Sequence, residues 1–215
     1  GFSCRPVRKK SPEVLYRQAV ETMEDSGHNE ITLSSLSTSD YRGLKELTDE
    51  LIPYCANQKI NLSVPSLRAD NFSKELTARL QTLRKSSLTF APEAGTQRLR
   101  DVINKNVTED DLMAAIDASF TAGWRRCKLY FMIGLPTETY EDLDGIANIA
   151  QNIIEINKKY NGPKGGRFNL TVSVSNFVPK ADTPFQWERQ NTPEEFREKH
   201  NYLVQKLKIK GVKFN

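Results

Sequence analysis

Apolar residues recur along this chain in two alternating rhythms, a helical period and short β-branched runs. Ser11-Pro12-Glu13 opens a first helix, with Ser11 as N-cap and Pro12 in the first turn, where a missing N–H does no harm. Gly27 is its stop. Glu30 to Leu36 then reads as a strand, and a helix from Tyr41 onward carries Leu44, Leu47, Leu51 and Ile52 on one face. The pattern repeats. Ile60 to Val64 is a strand, and Leu76, Leu80 and Leu83 stripe a helix. Leu88 to Ala91 is a strand, followed by a short helix from Gly95. Thr108 caps a helix whose Leu112, Ala115, Ile116 and Phe120 face inward. Cys127 to Ile133 is a nearly continuous apolar strand. Thr139 caps the clearest stripe in the chain, Leu143, Ile146, Ala147, Ala150, Ile153 and Ile154. Phe168 to Val174 reads as the last strand. Thr192-Pro193-Glu194-Glu195 starts a final helix that ends in Lys206, Lys208 and Lys210, charges suited to a helix C-terminus.

Strands separated by helices imply parallel βαβ units with right-handed crossovers, hence an α/β fold. Five strands are legible. The chain opens on a basic loop and a helix, whereas α/β barrels and doubly wound sheets open on a strand. The expectation is therefore a single domain over residues 1–215, a fragment whose first strand is missing.

Composition narrows the class. With 38% hydrophobic residues and 9% aromatic, the 215-residue chain can build a core, and its charge is balanced at a net +4. No apolar run approaches the ~20 residues of a membrane span, and no secretory signal is visible. Three scattered cysteines argue against a disulfide scaffold and for a reducing cytoplasm.

Ligands of parallel α/β folds bind at the carboxyl ends of the strands. Here those ends are Ser35-Leu36-Ser37-Thr38, Pro65-Ser66-Leu67-Arg68, Ala91-Pro92-Glu93-Ala94-Gly95, Ile133-Gly134-Leu135-Pro136-Thr137 and Ser175-Asn176-Phe177-Val178-Pro179. Glu93 is the obvious carboxylate and Arg68 the obvious cation. A rim so poor in acid–base pairs points to a cofactor that carries the reaction.

Three of these segments carry a resemblance. Ala91-Pro92-Glu93-Ala94-Gly95-Thr96-Gln97-Arg98-Leu99, continuing to Ile103-Asn104-Lys105, resembles the fourth-strand motif of radical-SAM enzymes. Phe131-Met132-Ile133-Gly134-Leu135-Pro136-Thr137-Glu138-Thr139 resembles their fifth-strand motif. Phe177-Val178-Pro179-Lys180-Ala181-Asp182-Thr183-Pro184-Phe185 is similar to the sixth-strand segment of methylthiotransferase-like and B12-binding-associated members. The resemblance implies a partial (β/α)6 TIM-like barrel. It also implies a four-iron, four-sulfur (4Fe–4S) cluster that cleaves S-adenosylmethionine to a 5′-deoxyadenosyl radical. The expected partners are an unknown substrate, an electron donor such as a flavodoxin or ferredoxin, and RNA in some relatives; no membrane partner is expected.

Carried onto this sequence, the resemblance implies cofactor contacts from Ser35, Ser37 and Thr38 at the second strand and from Ser66 and Arg68 at the third. Glu93 would bind ribose hydroxyls or the amino group, and Lys105 the cofactor carboxylate. Ile133, Gly134, Leu135, Phe177 and Val178 would form apolar and backbone walls near adenine. The family's Cys-x3-Cys-x2-Cys triad is absent, since Cys4, Cys55 and Cys127 lie about 50 and 70 residues apart. Gly1 to Arg8 resembles the segment that follows the third cluster cysteine. The cluster ligands are thus expected upstream, and the isolated chain is expected to be inactive. Two other readings stay open on the residues alone: an ordinary α/β-barrel enzyme for a phosphorylated or sugar substrate, and a basic module that docks RNA or protein. His28 and His200 share no ligand spacing, and Glu93 alternatively caps the helix opened by Gly95.

Overall fold

The computed structural model describes residues 8–35, 38, 41–63, 88–121, 123–161 and 168–215. Among these, the chain forms two compact units, one up to Ser63 and one from Leu88 onward. The helix striped by Leu76, Leu80 and Leu83 lies outside the described residues.

The first unit starts with α1 (Pro12–Ser26), whose N-cap Ser11 is extended and whose cap Gly27 is left-handed, its N–H donating to the Met23 carbonyl. β1 (Glu30–Thr32) and β2 (Asn61–Ser63) pair in parallel, Ile31 beside Leu62, with α2 (Leu44–Gln58) as the crossover between them. Both strands are shorter than the sequence predicts. Helix α2 begins three residues after the expected start, because Tyr41 to Gly43 form a turn and the Leu44 N–H bonds the Tyr41 carbonyl. Leu44, Leu47, Leu51 and Cys55 bury the predicted face of α2.

The second unit is a four-stranded parallel sheet: β3 (Leu88–Glu93), β4 (Arg126–Ile133), β5 (Asn169–Asn176) and β6 (Val212–Phe214), side by side in chain order. Its crossovers are α3 (Gln97–Val102) with α4 (Glu109–Thr121), then α5 (Tyr140–Asn161), then α6 (Pro193–Lys206). A doubly wound sheet reverses its strand order at a switch point, whereas strands added one after another in the same direction build a barrel wall. The order seen here is that of a barrel wall, and neither sheet closes among the described residues.

Two expectations are corrected by this geometry. β5 is not the last strand, because β6 adds Val212 beside Leu170 and Phe214 beside Val172. A three-residue strand with Lys213 at its centre carries too little apolar pattern to be read. Helix α6 ends at Lys206, so Lys208 and Lys210 lie beyond it. Strand β4, a nearly continuous apolar run in sequence, alternates in burial: Cys127, Leu129, Phe131 and Ile133 are buried, while Arg126, Lys128 and Tyr130 are exposed. The buried set packs the core with Leu143, Ile146, Ile149 and Ile153 of α5 and with Leu170 and Val172 of β5. Tyr130 stands beside Ser173 of β5 on the open, polar face.

The helix starts behave as their sequences direct. Thr192 and Glu195 form a reciprocal capping box on α6. Asp111 binds back to the Thr108 N–H and hydroxyl at the start of α4.

Candidate functional site

The carboxyl ends of β3, β4 and β5 meet at one rim. On β3, Phe90 sits opposite Leu129 and Glu93 opposite Phe131, so three steps on one strand match two on the other. Pro92 lies in this bulge, where a residue without an N–H breaks no ladder bond. The bulge delivers Glu93 with φ +68°, a left-handed conformation that a side chain rarely adopts. Lys105, from the turn after α3, places its ammonium 3.4 Å from Glu93 Oε1, and both side chains remain about a quarter to a third exposed.

Glu93 does not cap the following helix. The N-cap of α3 is Thr96, whose hydroxyl accepts from the Leu99 N–H at 3.2 Å. Behind the turn, Arg100 is 1% exposed and donates to the Ala94 carbonyl at 3.1 Å. Burial pulls its guanidinium pKa down, against the attraction of Glu109 and Asp101.

At the end of β4, Gly134 turns with φ +78° and Thr137 with φ +65°. The Gly134 N–H donates to Glu138 Oε1 at 2.9 Å. Arg98 reaches across from α3 to donate to the Thr137 carbonyl at 2.9 Å and to the carboxylate of Asp142. Asp142 also accepts from the Thr96 hydroxyl and from the N–H of Thr139. At the end of β5, the Phe177 N–H continues the ladder to the Ile133 carbonyl at 2.9 Å.

The predicted wall residues come together unevenly. Leu135 and Phe177 are buried in an apolar cluster with Ala94 and Leu99, flanked by Ile103, Met132 and Phe185. Ile133 is buried on the core side, whereas Val178 is half exposed. At this rim Val178 is open to solvent, while Leu135 and Phe177 lie buried behind the backbone of the β4 turn. The loop that follows carries Trp187, 90% exposed, while the chain's other tryptophan, Trp124, is 5% exposed. A cleft of about 410 Å³ opens behind the β4 turn, lined by Gly134, Glu138, Tyr140, Arg189 and Lys199 among others.

Of the remaining predicted contacts, Ser35 is exposed and Thr38 buried in the first unit. Ser37, Ser66 and Arg68 lie outside the described residues. Arg98 and Glu138 lie inside the two motif segments and Asp142 just beyond the second, yet none of them, nor Lys199, is singled out as a site residue by the sequence. Asp142 left a further trace, since Thr139-x-x-Asp142 has the spacing of a helix-start box. Lys199 left none.

The described residues do not fit an iron–sulfur cluster. No three His, Cys, Asp or Glu side chains among them gather as metal ligands. Cys55 and Cys127 are buried free thiols, with burial pushing their pKa values up to about 11 and about 12, the opposite of a thiolate donor. Cys4 lies outside the described residues.

The family model of the Radical SAM superfamily matches residues 2–150, and the chain belongs to that superfamily. It is 31% identical over 208 residues to the uncharacterized protein MJ0966 of Methanocaldococcus jannaschii, covering 97% of this chain and 43% of that protein. In fold it is similar to coproporphyrinogen III oxidase (HemN) from Escherichia coli, a radical SAM enzyme, with TM-score 0.60 and 13% identity over 94% of this chain and 48% of that one. It is also similar to the archaeal Methanocaldococcus infernus Elp3, with TM-score 0.57 and 14% identity over 95% of this chain and 52% of that one. The chain thus spans about half the length of the proteins it matches. The partial-barrel reading agrees with these folds. Among the described residues, no helix is long and apolar enough to cross a membrane.

Proposed function

We propose that this chain forms the S-adenosylmethionine-binding wall of a radical enzyme. The observation that carries the reading is the Glu93–Lys105 pair, 3.4 Å apart and partly open to solvent at the rim where the β3, β4 and β5 segments converge. The amino-acid end of that cofactor is a zwitterion, an ammonium beside a carboxylate. An anion and a cation held side by side match such a ligand charge for charge, at little electrostatic cost before it arrives. Lys105 has donors left for the carboxylate, and the second Glu93 oxygen is left for the ammonium or the ribose hydroxyls.

The backbone from Gly134 to Pro136 would flank the adenine, held there because the absence of a Cβ at Gly134 lets Phe196 of α6 pack closely against the turn. Its shape is kept by the apolar cluster around Leu135 and Phe177, which also excludes water from the inner side of the turn. With a reduced 4Fe–4S cluster alongside, a cofactor held by Glu93 and Lys105 would supply radical chemistry to a substrate. The cluster's thiolates would come from residues other than those described. The free thiols of Cys55 and Cys127 support a reducing, cytoplasmic setting.

The test is the full-length protein purified without oxygen, reconstituted with iron and sulfide, and given dithionite and S-adenosylmethionine. Formation of 5′-deoxyadenosine is expected, reduced at least about tenfold in Glu93→Gln. A reconstituted protein that neither binds the cofactor nor releases 5′-deoxyadenosine removes the reading.

A further inference from the structure

Behind the β4 turn, on the side facing α6, lies a buried ion pair that cofactor binding as described above does not use. The side chain of Glu138 is 1% exposed and that of Lys199, in the second turn of α6, 17%. A single oxygen, Glu138 Oε1, accepts from Lys199 Nζ at 2.7 Å and from the Gly134 N–H at 2.9 Å. The first amide beyond β4 is thereby tied to α6. Packing reinforces the tie, since a Cβ on Gly134 would stand 2.5 Å from Phe196 Cε1. The turn includes two left-handed residues, Gly134 and Thr137, a shape that needs support from outside the loop.

A buried carboxylate without a counter-charge is costly and neutralises itself or swings toward water. Lys199 supplies that counter-charge. Without it, Glu138 turns toward water in the cleft and releases the Gly134 N–H, which loosens the backbone from Gly134 to Pro136.

We propose that Lys199, acting through Glu138, is a positioning residue for S-adenosylmethionine; this rests on the reading of the rim given above. It stands behind the turn and sets the place of the Gly134 backbone that would line the adenine.

The test uses the full-length protein with S-adenosylhomocysteine as probe, which binds without being cleaved, followed by calorimetry. Lys199→Met is expected to raise the probe Kd and the KM for S-adenosylmethionine about tenfold while kcat at saturation stays within about twofold. Amide exchange at Gly134 should quicken in the same variant. The double variant Glu138→Gln/Lys199→Met removes both charges and keeps an acceptor for the Gly134 N–H, so probe affinity should return to within about threefold of the wild type. If Lys199→Met does not fold, Glu138→Gln against Glu138→Ala carries the comparison, with the loss expected only in the alanine variant. Wild-type affinity in Lys199→Met, no recovery in the double variant, or equal affinities in the two Glu138 variants each overturns the proposal and leaves cofactor binding standing. A wild-type protein that does not take the probe overturns both.

Discussion

The carboxylate of Asp142, at the start of α5, accepts a hydrogen bond from the hydroxyl of Thr96, at the start of α3, 46 residues earlier in the chain. With Arg98 and Thr139 as further donors, it locks the turn after β3 to the turn after β4. Its side chain is 2% exposed. Burial alone would raise its pKa, but the bonds from Thr96, Thr139 and Arg98 outweigh that and hold it below the usual aspartate value. A folded-state pKa below the unfolded one stabilises the protein above the unfolded pKa. That contribution is lost as pH falls through the folded value. Asp142→Asn should cost about 2–3 kcal/mol at pH 7. In urea titrations the gap between variant and wild type should narrow as pH falls below 4. A gap constant from pH 7 to pH 3 would show that the charge is not its source.

Gly145 gives a prediction opposite to helix propensity. It lies inside α5, where alanine ordinarily gains about 1 kcal/mol over glycine. Here an added Cβ would meet the Gly95 carbonyl oxygen at 2.5 Å and its carbon at 2.6 Å, backbone that cannot rotate away. Gly145→Ala is therefore expected to destabilise by about 1–3 kcal/mol. Thermal unfolding measures it, and an unchanged or higher Tm would show that the helix and the β3 turn do not touch as described.

Glu93 separates a binding role from a structural one. Its left-handed backbone costs a side-chain-bearing residue about 1–2 kcal/mol, which glycine avoids. Glu93→Gly should leave stability unchanged or raise it by up to about 1 kcal/mol, since a half-open ion pair contributes little. The same variant should weaken S-adenosylmethionine binding by at least about tenfold. A stable variant with normal cofactor affinity would strike Glu93 from the site.

How much of this was legible follows from what kind of signal each residue leaves. The α5 stripe, the Thr192 capping box and the turn at Gly134 were readable because each depends on neighbours within a few positions. The bulge at Pro92 was not, since it exists only against the register of β4. Nor was the link from Lys199 to Gly134, which joins residues brought together by the α5–β5–α6 crossover and leaves no periodic trace. Strand β4 reads as a nearly continuous apolar run, a pattern that does not tell that one sheet face is open and that Tyr130 stands 42% exposed on it. Motif order identified the rim, but which side chains face a ligand and which brace the turn is a three-dimensional property.

The two buried thiols allow a chemical check on where iron can bind. With pKa values pushed up to about 11 and about 12, Cys55 and Cys127 stay protonated at pH 8. Iodoacetamide should leave both unmodified in the folded protein and label both in urea, as read by mass spectrometry. Cys55→Ala/Cys127→Ala in the full-length protein should retain its iron content after reconstitution. Loss of iron in that variant would return these thiols to the ligand set.

The contrast between the two indoles gives the molecule an internal optical gauge. Trp187 projects from the loop beyond β5 and Trp124 lies enclosed before β4, so a dissolved quencher such as acrylamide should dim the first and spare the second. Anything that settles on the β5 side of the mouth would shield one emitter while the other serves as a fixed standard, which makes occupancy readable in an unlabelled sample.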